Sequence, residues 1–548
     1  MLKDQLTLTW RPLLTSFRAF IVVLLVLGIF FRFANLDKKI YGHDETFTSL
    51  RISGYTEAEV VQQLSDADVI SLEELQKYQR PNLNRDIRHT IKSLAVEDTQ
   101  HPPLYYAIAS FWVRWFGSSL AVKRSLSAFI SLLAFPSIYW LCLELFELPL
   151  TGWVAMALIA VSPFQVLYAQ EDRQYILWAV LILMSSAALL RAMRLNTKVS
   201  WSIYAVTLAA SLNTFLFSGL VAIGHGIYVL AIERCRWSKT LRAYLIASIL
   251  GTLAFVPWML VLITNLSQAQ KTTGWTANTM PLPSLIRYWF LNLDRVFIDW
   301  NYASGDPLIS KIFFYLASLI LLSLVGYSFY FLFRNSPQRV WLFILTLVGI
   351  TALALILPDL ITGGHRSTIN RYPIPCYLGI QLTVAYLLAT KLNTSIFSNT
   401  WRQKLWQIVM VVLISCGVLS CAMSSQAEVW YNKEYNGTNP EVARLINQAP
   451  RPLLISDAQM ADILSLSYLL NPKVQLLLKP RCYTCDVDSQ PSHEPYIPEI
   501  PNGFSDVFLF HPRHSNKWLD GLKQVETYKM EPLVSNITEP YDNLLWRL

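Results

Sequence analysis

Residues 340–358 read VWLFILTLVGITALALILP, nineteen residues without a charge. A helix rises about 1.5 Å per residue, so a run of this length crosses the roughly 30 Å hydrocarbon core of a bilayer. Similar apolar runs recur along the chain and predict eleven spans in all. The other ten are residues 19–36, 122–146, 150–168, 174–192, 201–216, 217–233, 241–265, 308–333, 372–391 and 403–424.

The composition agrees with a membrane protein. Of the 548 residues, 53% are hydrophobic and only 15% charged, whereas soluble proteins carry about 25% charged residues. This excludes an ordinary cytosolic enzyme and a disordered scaffold. The net charge of +8 does not require nucleic acid as a partner, because cytoplasmic loops beside anionic lipid concentrate Lys and Arg.

The distribution of basic residues predicts which loops face the cytoplasm. The short run 103–117 contains Arg114 and is interpreted as an interfacial or re-entrant helix that does not cross. Five basic clusters then fall on one side, as the positive-inside rule requires. They are Lys3, Arg11 and Arg18; Arg191, Arg194 and Lys198; Arg234, Arg236, Lys239 and Arg242; Arg334 and Arg339; and Lys391, Arg402 and Lys404. The opposite, outer face receives residues 37–121, 164–174, 266–307, 359–371 and the tail after about 425.

The tail differs from the rest of the chain. Residues 452–457, 474–478 and 507–511 have the pattern of buried strands, and residues 440–449 and 459–470 that of helices, which indicates a small α/β domain. The predicted architecture is therefore a polytopic α-helical membrane protein, with a transmembrane domain at 1–425 and an extracytoplasmic α/β domain at 426–548. Cys482 and Cys485 form a disulfide or remain inert thiols; the alternative is a metal site with His493, His511 or His514.

Two polar motifs lie on the predicted outer face before the second span. Residues 41–46, YGHDET, place Asp44 and Glu45 at a membrane rim, where adjacent carboxylates are costly unless solvated or used. The plainer interpretation is that Asp44 caps a helix beginning at Glu45. Residues 100–106, QHPPLYY, contain His101 and Pro102, and Pro103 favours a plain helix start as the alternative.

Basic residues accumulate on the same face, against the positive-inside rule. Lys123 and Arg124 open the second span, and the turn at 168–175, YAQEDRQY, holds Glu171, Asp172 and Arg173. This turn has a plainer interpretation as a solvated connection. His365 and Arg366 precede a motif at 370–373, NRYP, whose Arg371 and Tyr372 open another span. Arg371 has its own plainer role, reaching the lipid headgroups.

Carboxylates and arginines on an outer membrane face suit transfer of a lipid-linked sugar. Arg donates two hydrogen bonds to a phosphate at once, and a carboxylate accepts the proton of an attacking hydroxyl as a general base. A lipid-linked donor also agrees with the sequence, which has no Gly-rich phosphate loop and no nucleotide-binding fingerprint.

The order of these motifs resembles the membrane glycosyltransferases of the GT-C superfamily, especially the protein O-mannosyltransferase and aminoarabinose-transferase group and its bacterial relatives. The resemblance covers about residues 15–190 and 359–390. It implies an inverting enzyme that uses a polyprenyl-phosphate-linked hexose or pentose. The implied acceptor is a glycan, lipid or protein, and the implied location is the bacterial inner membrane, with the site in the cell envelope.

The resemblance also assigns roles to particular residues. Asp44 matches the acidic residue taken as the general base, and Glu45 is its neighbour in the motif. His101 and Pro102 match the segment lining the acceptor side. Arg124 matches a basic residue that serves donor binding or structure, Arg173 belongs to the matching acidic-basic turn, and Arg371 with Tyr372 matches the motif near the donor phosphate. All four are predicted to bind that phosphate, and the less typical Arg366 is grouped with them. Glu171 matches the second acidic position, while Asp172 stands where relatives often have a small residue, so both carboxylates stay candidates.

Three alternatives accompany this hypothesis. The group generally needs no metal, but Asp44, Glu171 and Asp172 offer oxygen ligands for Mg²⁺ or Mn²⁺. A transporter or flippase for a charged lipid or solute is the main functional alternative, although such proteins usually place ionisable groups near the membrane midplane in repeated halves. A sensor that uses its tail domain is the third.

Overall fold

A computed structural model of the chain describes residues 19–302, 307–394, 401–485, 499–510, 518, 522, 530–535 and 543–548. By its internal contacts the chain forms two compact units. The helical unit comprises Met1–Leu36, Arg124–Leu260 and Thr273–Gln426, as far as these residues are described. The sheet unit comprises Asp37–Lys123, Val261–Thr272 and Ala427–Leu548, with the same restriction.

The helical unit consists of helices of very different lengths. They are Ala19–Phe33, Leu120–Leu132, Ala134–Phe146, Pro149–Ala160, Pro163–Ala169, Tyr175–Leu195, Lys198–Leu212, Ser218–Ile232, Lys239–Leu253, Val256–Thr264, Leu282–Asp294, Leu308–Asn335, Gln338–Ile361, Ile374–Thr394 and Trp401–Gln426, with short 3-10 turns at Gly274–Ala277 and Arg366–Thr368.

The described part of the chain holds five helices that are long and apolar enough to cross a membrane. The number is up to seven if each of two bent helix pairs is counted as one span. By the length and composition of these helices, the chain is a multi-pass membrane protein. The predicted total of eleven spans is not confirmed. The basic residues Lys3, Arg11 and Arg18 lie outside the described residues, as does the side chain of Arg402.

Several predicted spans differ because the helices are short or broken. The runs 201–216 and 217–233 form the helices Lys198–Leu212 and Ser218–Ile232, each only 15 residues long. The run 150–168 bends by 62° before Pro163, and the run 241–265 bends by 54° near Pro257. Proline has no backbone N–H to donate and clashes with the preceding turn, so a continuous helix is interrupted there.

The spans also differ in burial. The most hydrophobic window of Tyr175–Leu195 is 83% buried, whereas that of Leu308–Asn335 is only 22% buried. A helix that is apolar all round is stable either inside a protein or against lipid. Tyr175–Leu195 is therefore an internal helix of its unit, and its first residue follows the QEDRQ turn.

The run 103–117 forms the helix Leu104–Phe116. Its 13 residues extend about 20 Å, less than the hydrocarbon core requires. Tyr106 and Val113 are buried, while Phe111 and Trp115 on another face are exposed. An apolar exposed face on a short helix agrees with the predicted interfacial placement, which stays a prediction.

The sheet unit surrounds a six-stranded sheet. Its helices are His43–Ile52, Glu57–Ser65, Leu72–Gln76, Ile87–Glu97, Leu104–Phe116, Leu266–Thr273, Asn439–Gln448 and Met460–Ser467, with 3-10 turns at Lys77–Gln79 and Tyr431–Asn436. The strands are β1 (Ile70–Ser71), β2 (Pro452–Ser456), β3 (Gln475–Leu478), β4 (Asp506–Phe510), β5 (Glu531–Ser535) and β6 (Asn543–Arg547).

The strand order is β1-β3-β2-β4-β6-β5. Strands β3 and β4 both run parallel to β2, while β1, β5 and β6 add antiparallel pairs. The three strands predicted in the tail are confirmed as β2, β3 and β4, and both predicted tail helices are present. The sequence did not predict β5 and β6 in the tail, nor β1, which comes from the segment between the first two predicted spans.

One hydrophobic core joins that early segment to the tail. Leu50, Val60 and Leu64 pack with Leu454 and Leu476, all of them almost completely buried. Residues 37–123 and the tail are thus parts of one folded unit. Cys482 and Cys485 form a disulfide. The histidines 493, 511 and 514 of the alternative metal site lie outside the described residues.

Candidate functional site

The predicted acidic motif begins a helix in the sheet unit. The helix His43–Ile52 starts after Gly42, whose N–H donates to the Glu45 carboxylate at 3.2 Å. Glu45 therefore closes the first turn, and Asp44 lies within that turn instead of capping a helix that begins at Glu45. Asp44 is partly exposed, whereas Glu45 is completely buried.

Glu45 forms a buried ion pair with a lysine of the tail. The Lys433 Nζ lies 2.9 Å from the Glu45 carboxylate, and the side chains are 3% and 0% exposed. Lys433 belongs to the 3-10 turn Tyr431–Asn436. A Cβ atom on Gly42 would lie 3.0 Å from Lys433 Cδ, so glycine at this position leaves room for the lysine.

His43, the residue before Asp44, is held by a second group of tail residues. Its Nδ1 lies 3.4 Å from an Asp462 carboxylate oxygen, and its backbone N–H donates to Asn436 at 2.8 Å. The ring makes edge contacts with Phe47 and Tyr435. Burial alone would lower the pKa of His43, but the hydrogen bond and charge of Asp462 outweigh it and raise the pKa above its ordinary value.

The end of the same helix is tied to the HPP segment. The buried Arg51 pairs with Glu97 and, at 2.6 Å, with Asp98. The carbonyl of Asp98 accepts the N–H of His101 at 2.9 Å, and Pro102 beside it is buried. The helix that begins in the YGHDET motif is therefore linked, through Arg51 at its other end, to the residues just before the HPP segment.

In the helical unit, the QEDRQ turn is buried. Glu171, Asp172 and Arg173 are 6%, 1% and 4% exposed. Gln170 donates to the carbonyls of Phe31 at 2.7 Å and Ala34 at 2.9 Å, which anchors the turn to the end of the first helix. The interpretation of this segment as a solvated connection is therefore wrong, because its charges are enclosed by protein.

Two predicted phosphate-binding arginines meet at one aromatic ring. The guanidinium carbons of Arg173 and Arg371 lie 5.6 and 5.4 Å from the centroid of the Tyr175 ring. Arg371 also lies 5.8 Å from the Tyr372 ring. The Tyr168 hydroxyl lies 2.5 Å from Asn370 Oδ1 and links the two motifs directly. The residues 168–175 and 370–372 thus form one cluster of arginines and tyrosines.

Aromatic side chains complete the wall of this cluster. Phe215 packs 5.7 Å from Tyr175 and 6.1 Å from Tyr372, measured between ring centroids. Phe217 packs 4.9 Å from Tyr372. An apolar wall lowers the local dielectric constant, which strengthens the interaction of an anion with both arginines.

Arg124 is placed close to the QEDRQ turn by its helix. It is 1% exposed and donates to the Leu36 carbonyl at 2.8 Å. One turn further, Ser127 Oγ donates to the Arg173 carbonyl at 3.5 Å. A further buried arginine, Arg32, donates to the carbonyls of Ile159 and Ala160 and to that of Gly28 in its own helix, which indicates a structural role.

Arg366 has a different environment from Arg371. Its guanidinium lies 3.2 Å from the Asp359 carboxylate and donates to the Gly363 carbonyl at 3.1 Å. Asp359 also accepts the N–H and hydroxyl of Ser367, both at 2.7 Å. These contacts stabilise the loop before the NRYP motif, and the assignment of Arg366 to a phosphate stays a prediction.

The described residues contain no group of three His, Cys, Asp or Glu side chains arranged to hold a metal ion. Of the alternative metal ligands, Asp44 belongs to the sheet unit, and Glu171 and Asp172 to the helical unit. Whether the reaction uses a divalent cation stays a prediction.

Sequence reasoning missed Lys433 and Asp462. They contact residues 388 and 419 positions earlier, and no local pattern in the tail indicates such long-range pairs. Tyr175 was quoted within a motif but given no role. Arg173, two positions before it, offered the only local signal for such a role, since arginine often stacks on aromatic rings.

Comparisons with known proteins give matches in structure alone. Neither a protein-family model nor a curated protein matches the sequence. The chain is similar in structure to ArnT from Cupriavidus metallidurans, solved without ligand and bound to undecaprenyl phosphate. For the ligand-free form the identity is 12% and the TM-score 0.48, and the match covers 98% of each chain.

A second similarity is to the oligosaccharyltransferase AglB from Archaeoglobus fulgidus, in complex with an inhibitory peptide and a dolichol-phosphate. It has 12% identity and a TM-score of 0.48, and covers 83% of this chain. The chain spans 62–64% of the length of the Archaeoglobus chains that it matches.

A third similarity is to the arabinofuranosyltransferase AftD from Mycobacteria, with 13% identity, a TM-score of 0.41 and coverage of 77% of this chain and 30% of that one. The archaeal protein is thus an oligosaccharyltransferase and the mycobacterial protein an arabinofuranosyltransferase. At these identities and TM-scores the similarities do not establish an activity for the chain.

Proposed function

We propose that the chain is an inverting glycosyltransferase that moves a sugar from a polyprenyl-phosphate-linked donor to an acceptor hydroxyl on the outer face of the inner membrane of a bacterium. Asp44 acts as the general base, and Arg124, Arg173, Arg371 and Tyr372 hold the donor phosphate. His101 and Pro102 line the acceptor side. No metal ion is required in this proposal.

The observation that carries the proposal is the meeting of Arg173 and Arg371 at Tyr175. Their guanidinium carbons lie 5.6 and 5.4 Å from the centroid of that ring, and positive charges gathered at one place attract an anion. Arginines match the oxygens of a phosphate, and in an enclosed setting they stabilise charge that develops on a departing phosphate.

The setting of Asp44 supports its proposed role as the base. It is the partly exposed member of the acidic pair, while Glu45 is committed to Lys433 and the Gly42 amide. A general base must reach the proton that it accepts, so the accessible carboxylate is the better candidate.

The experiment separates the two roles. Envelope glycans of a strain lacking the protein are compared by mass spectrometry with those of strains that express the wild type, Asp44→Asn or Arg371→Gln. Binding of undecaprenyl phosphate to each purified protein is measured by native mass spectrometry. We expect Asp44→Asn to reduce transfer by about 10²–10⁴-fold, the usual contribution of a general base, while it still binds the lipid.

Arg371→Gln should lose both transfer and most of the lipid binding. The matched controls are Asp68→Asn and Arg236→Gln, which change exposed residues. Full transfer by Asp44→Asn contradicts the assignment of the base. A strain whose glycans do not change when the protein is removed, but whose lipid distribution does, favours the transporter.

A further inference from the structure

Two segments of the tail contact the acidic motif within the sheet unit, and the first of them is residues 428–436. The Ile40 N–H donates to the Glu428 carbonyl at 3.0 Å, just before the motif. Lys433 then pairs with Glu45 at 2.9 Å. Asn436, at the end of the same 3-10 turn, accepts the His43 N–H at 2.8 Å.

The helix Met460–Ser467 supplies a further set of contacts. Ser465 Oγ donates to the Tyr41 carbonyl at 2.6 Å, and Asp462 faces His43 at 3.4 Å. Asn436 also donates to Asp462 at 3.5 Å, which connects the two tail segments. Groups from the tail therefore bind both main-chain and side-chain atoms of residues 40–45.

The pairing of Glu45 determines the direction of Asp44. Consecutive residues of a helix point about 100° apart around its axis. Because Glu45 points inward and pairs with the buried Lys433, the side chain of Asp44 points away from that pair and stays partly exposed. Loss of the lysine would leave a buried carboxylate without this charge partner, and the first turn would have to rearrange to solvate it.

We infer that the tail is part of the catalytic apparatus: Lys433 is a positioning residue that acts through Glu45 to orient Asp44, and Asp462 supports it by holding His43. This inference rests on the proposed function, in which Asp44 is the base. It gives the tail a direct task in catalysis, different from acceptor recognition alone or from a separate sensory role.

The variants for the test are Lys433→Met, Lys433→Arg and the double variant Glu45→Gln with Lys433→Met. Lys473→Met is the matched control, because Lys473 is an exposed lysine of the same tail. Product in the envelope is measured by mass spectrometry and divided by the amount of folded protein in the membrane. This normalisation removes the effect of a variant that merely accumulates less.

We expect Lys433→Met to lower product per molecule by roughly tenfold or more, since small displacements of a catalytic group have effects of this size. Lys433→Arg, which keeps the charge, should recover part of the loss. The double variant should also exceed Lys433→Met, because a neutral amide no longer needs the lysine. The inference is overturned if Lys433→Met equals Lys473→Met, or if the double variant is no better than the single one.

Amide hydrogen exchange in the purified proteins provides a readout that does not need activity. Residues 41–46 should exchange faster in Lys433→Met than in the wild type, and at the wild-type rate in Lys473→Met. Unchanged exchange overturns the positioning role even if no product is found for the wild type. Faster exchange in a protein without transfer supports the positioning contact while the proposed function fails.

Discussion

Arg173 and Arg371, nearly 200 positions apart in the sequence, place their guanidinium groups 5.6 and 5.4 Å from the centre of one aromatic ring, that of Tyr175. The ring is 2% exposed and also packs against Phe215. Tyr175 is therefore a shared contact of both arginines, which makes it a further candidate residue of the proposed phosphate site.

Replacing Tyr175 tests this relationship. A cation over an aromatic ring contributes about 0.5–2 kcal/mol, and Tyr175→Leu removes two such contacts. We expect the affinity for undecaprenyl phosphate to fall about tenfold, which corresponds to about 1.4 kcal/mol. Tyr175→Phe keeps the ring and should stay within threefold of the wild type. Native mass spectrometry over a range of lipid concentrations gives both values, and equal affinities for Leu and Phe would contradict the role of the ring.

The sequence predicted the sheet where local patterns are strong. β2, β3 and β4 are short apolar runs bounded by polar residues, so their type and approximate limits follow from composition. β1 has only two residues, Ile70 and Ser71, and pairs with Leu476 and Gln475, about 400 positions later. Pairing of that kind depends on the assembled fold, and no local pattern encodes it.

In the candidate site, too, local motifs were predictable from the sequence and long-range contacts were not. The order of the short motifs indicated Asp44, Arg173 and Arg371 as residues for chemistry. Their motif could not reveal that the QEDRQ turn is buried, because a run of charges has the same local pattern in water and inside a protein. Lys433 was missed for a related reason. The sequence around a single lysine in a polar tail does not indicate that it pairs with a carboxylate far away in the chain.

The ion pairs of Arg51 provide a stability test for the sheet unit. Arg51 is completely buried and binds Glu97 and Asp98. Removing one member of a buried ion-pair network costs about 3–5 kcal/mol, because a buried charge is left without its partner. Arg51→Met should therefore lower the thermal midpoint of the purified protein strongly. Arg80→Met, at a half-exposed and distant ion pair, is the control and should change it little. Similar midpoints for both variants would show that Arg51 is not essential to the fold.

The disulfide provides a second stability test. Cys482 and Cys485 are three residues apart, and Glu57 accepts the N–H groups of Tyr483 and Thr484 between them. Closing so short a loop restricts the unfolded chain by about 2 kcal/mol. The double variant Cys482→Ser with Cys485→Ser should therefore unfold at a lower temperature, and a reductant should lower the midpoint of the wild type but not of this variant. If the reductant lowers the midpoints of the wild type and of the double variant equally, its effect does not come from this disulfide.

The final prediction concerns pH and uses Asp294, at the end of the helix Leu282–Asp294, outside the candidate spans. Its side chain is buried and accepts a hydrogen bond from Ser318. Burial raises the pKa of Asp294 to about 7, although the hydrogen bond from Ser318 and the charge of Arg295 oppose the change. A carboxyl group whose pKa is higher in the folded state stabilises the fold fully at low pH, below its ordinary pKa. That contribution is lost as the pH rises through about 7.

The thermal midpoint of the wild type should consequently fall between pH 5.5 and 8, by the equivalent of about 2 kcal/mol at 1.36 kcal/mol per pKa unit. Asp294→Asn cannot ionise, so its midpoint should change less over the same range. Glu233→Gln, at the end of the helix Ser218–Ile232, is the control and should keep the wild-type slope. The measurement is thermal unfolding in detergent at the two pH values. If Asp294→Asn and the wild type have the same slope, Asp294 is ionised in the folded protein throughout this range and its burial is offset by its neighbours.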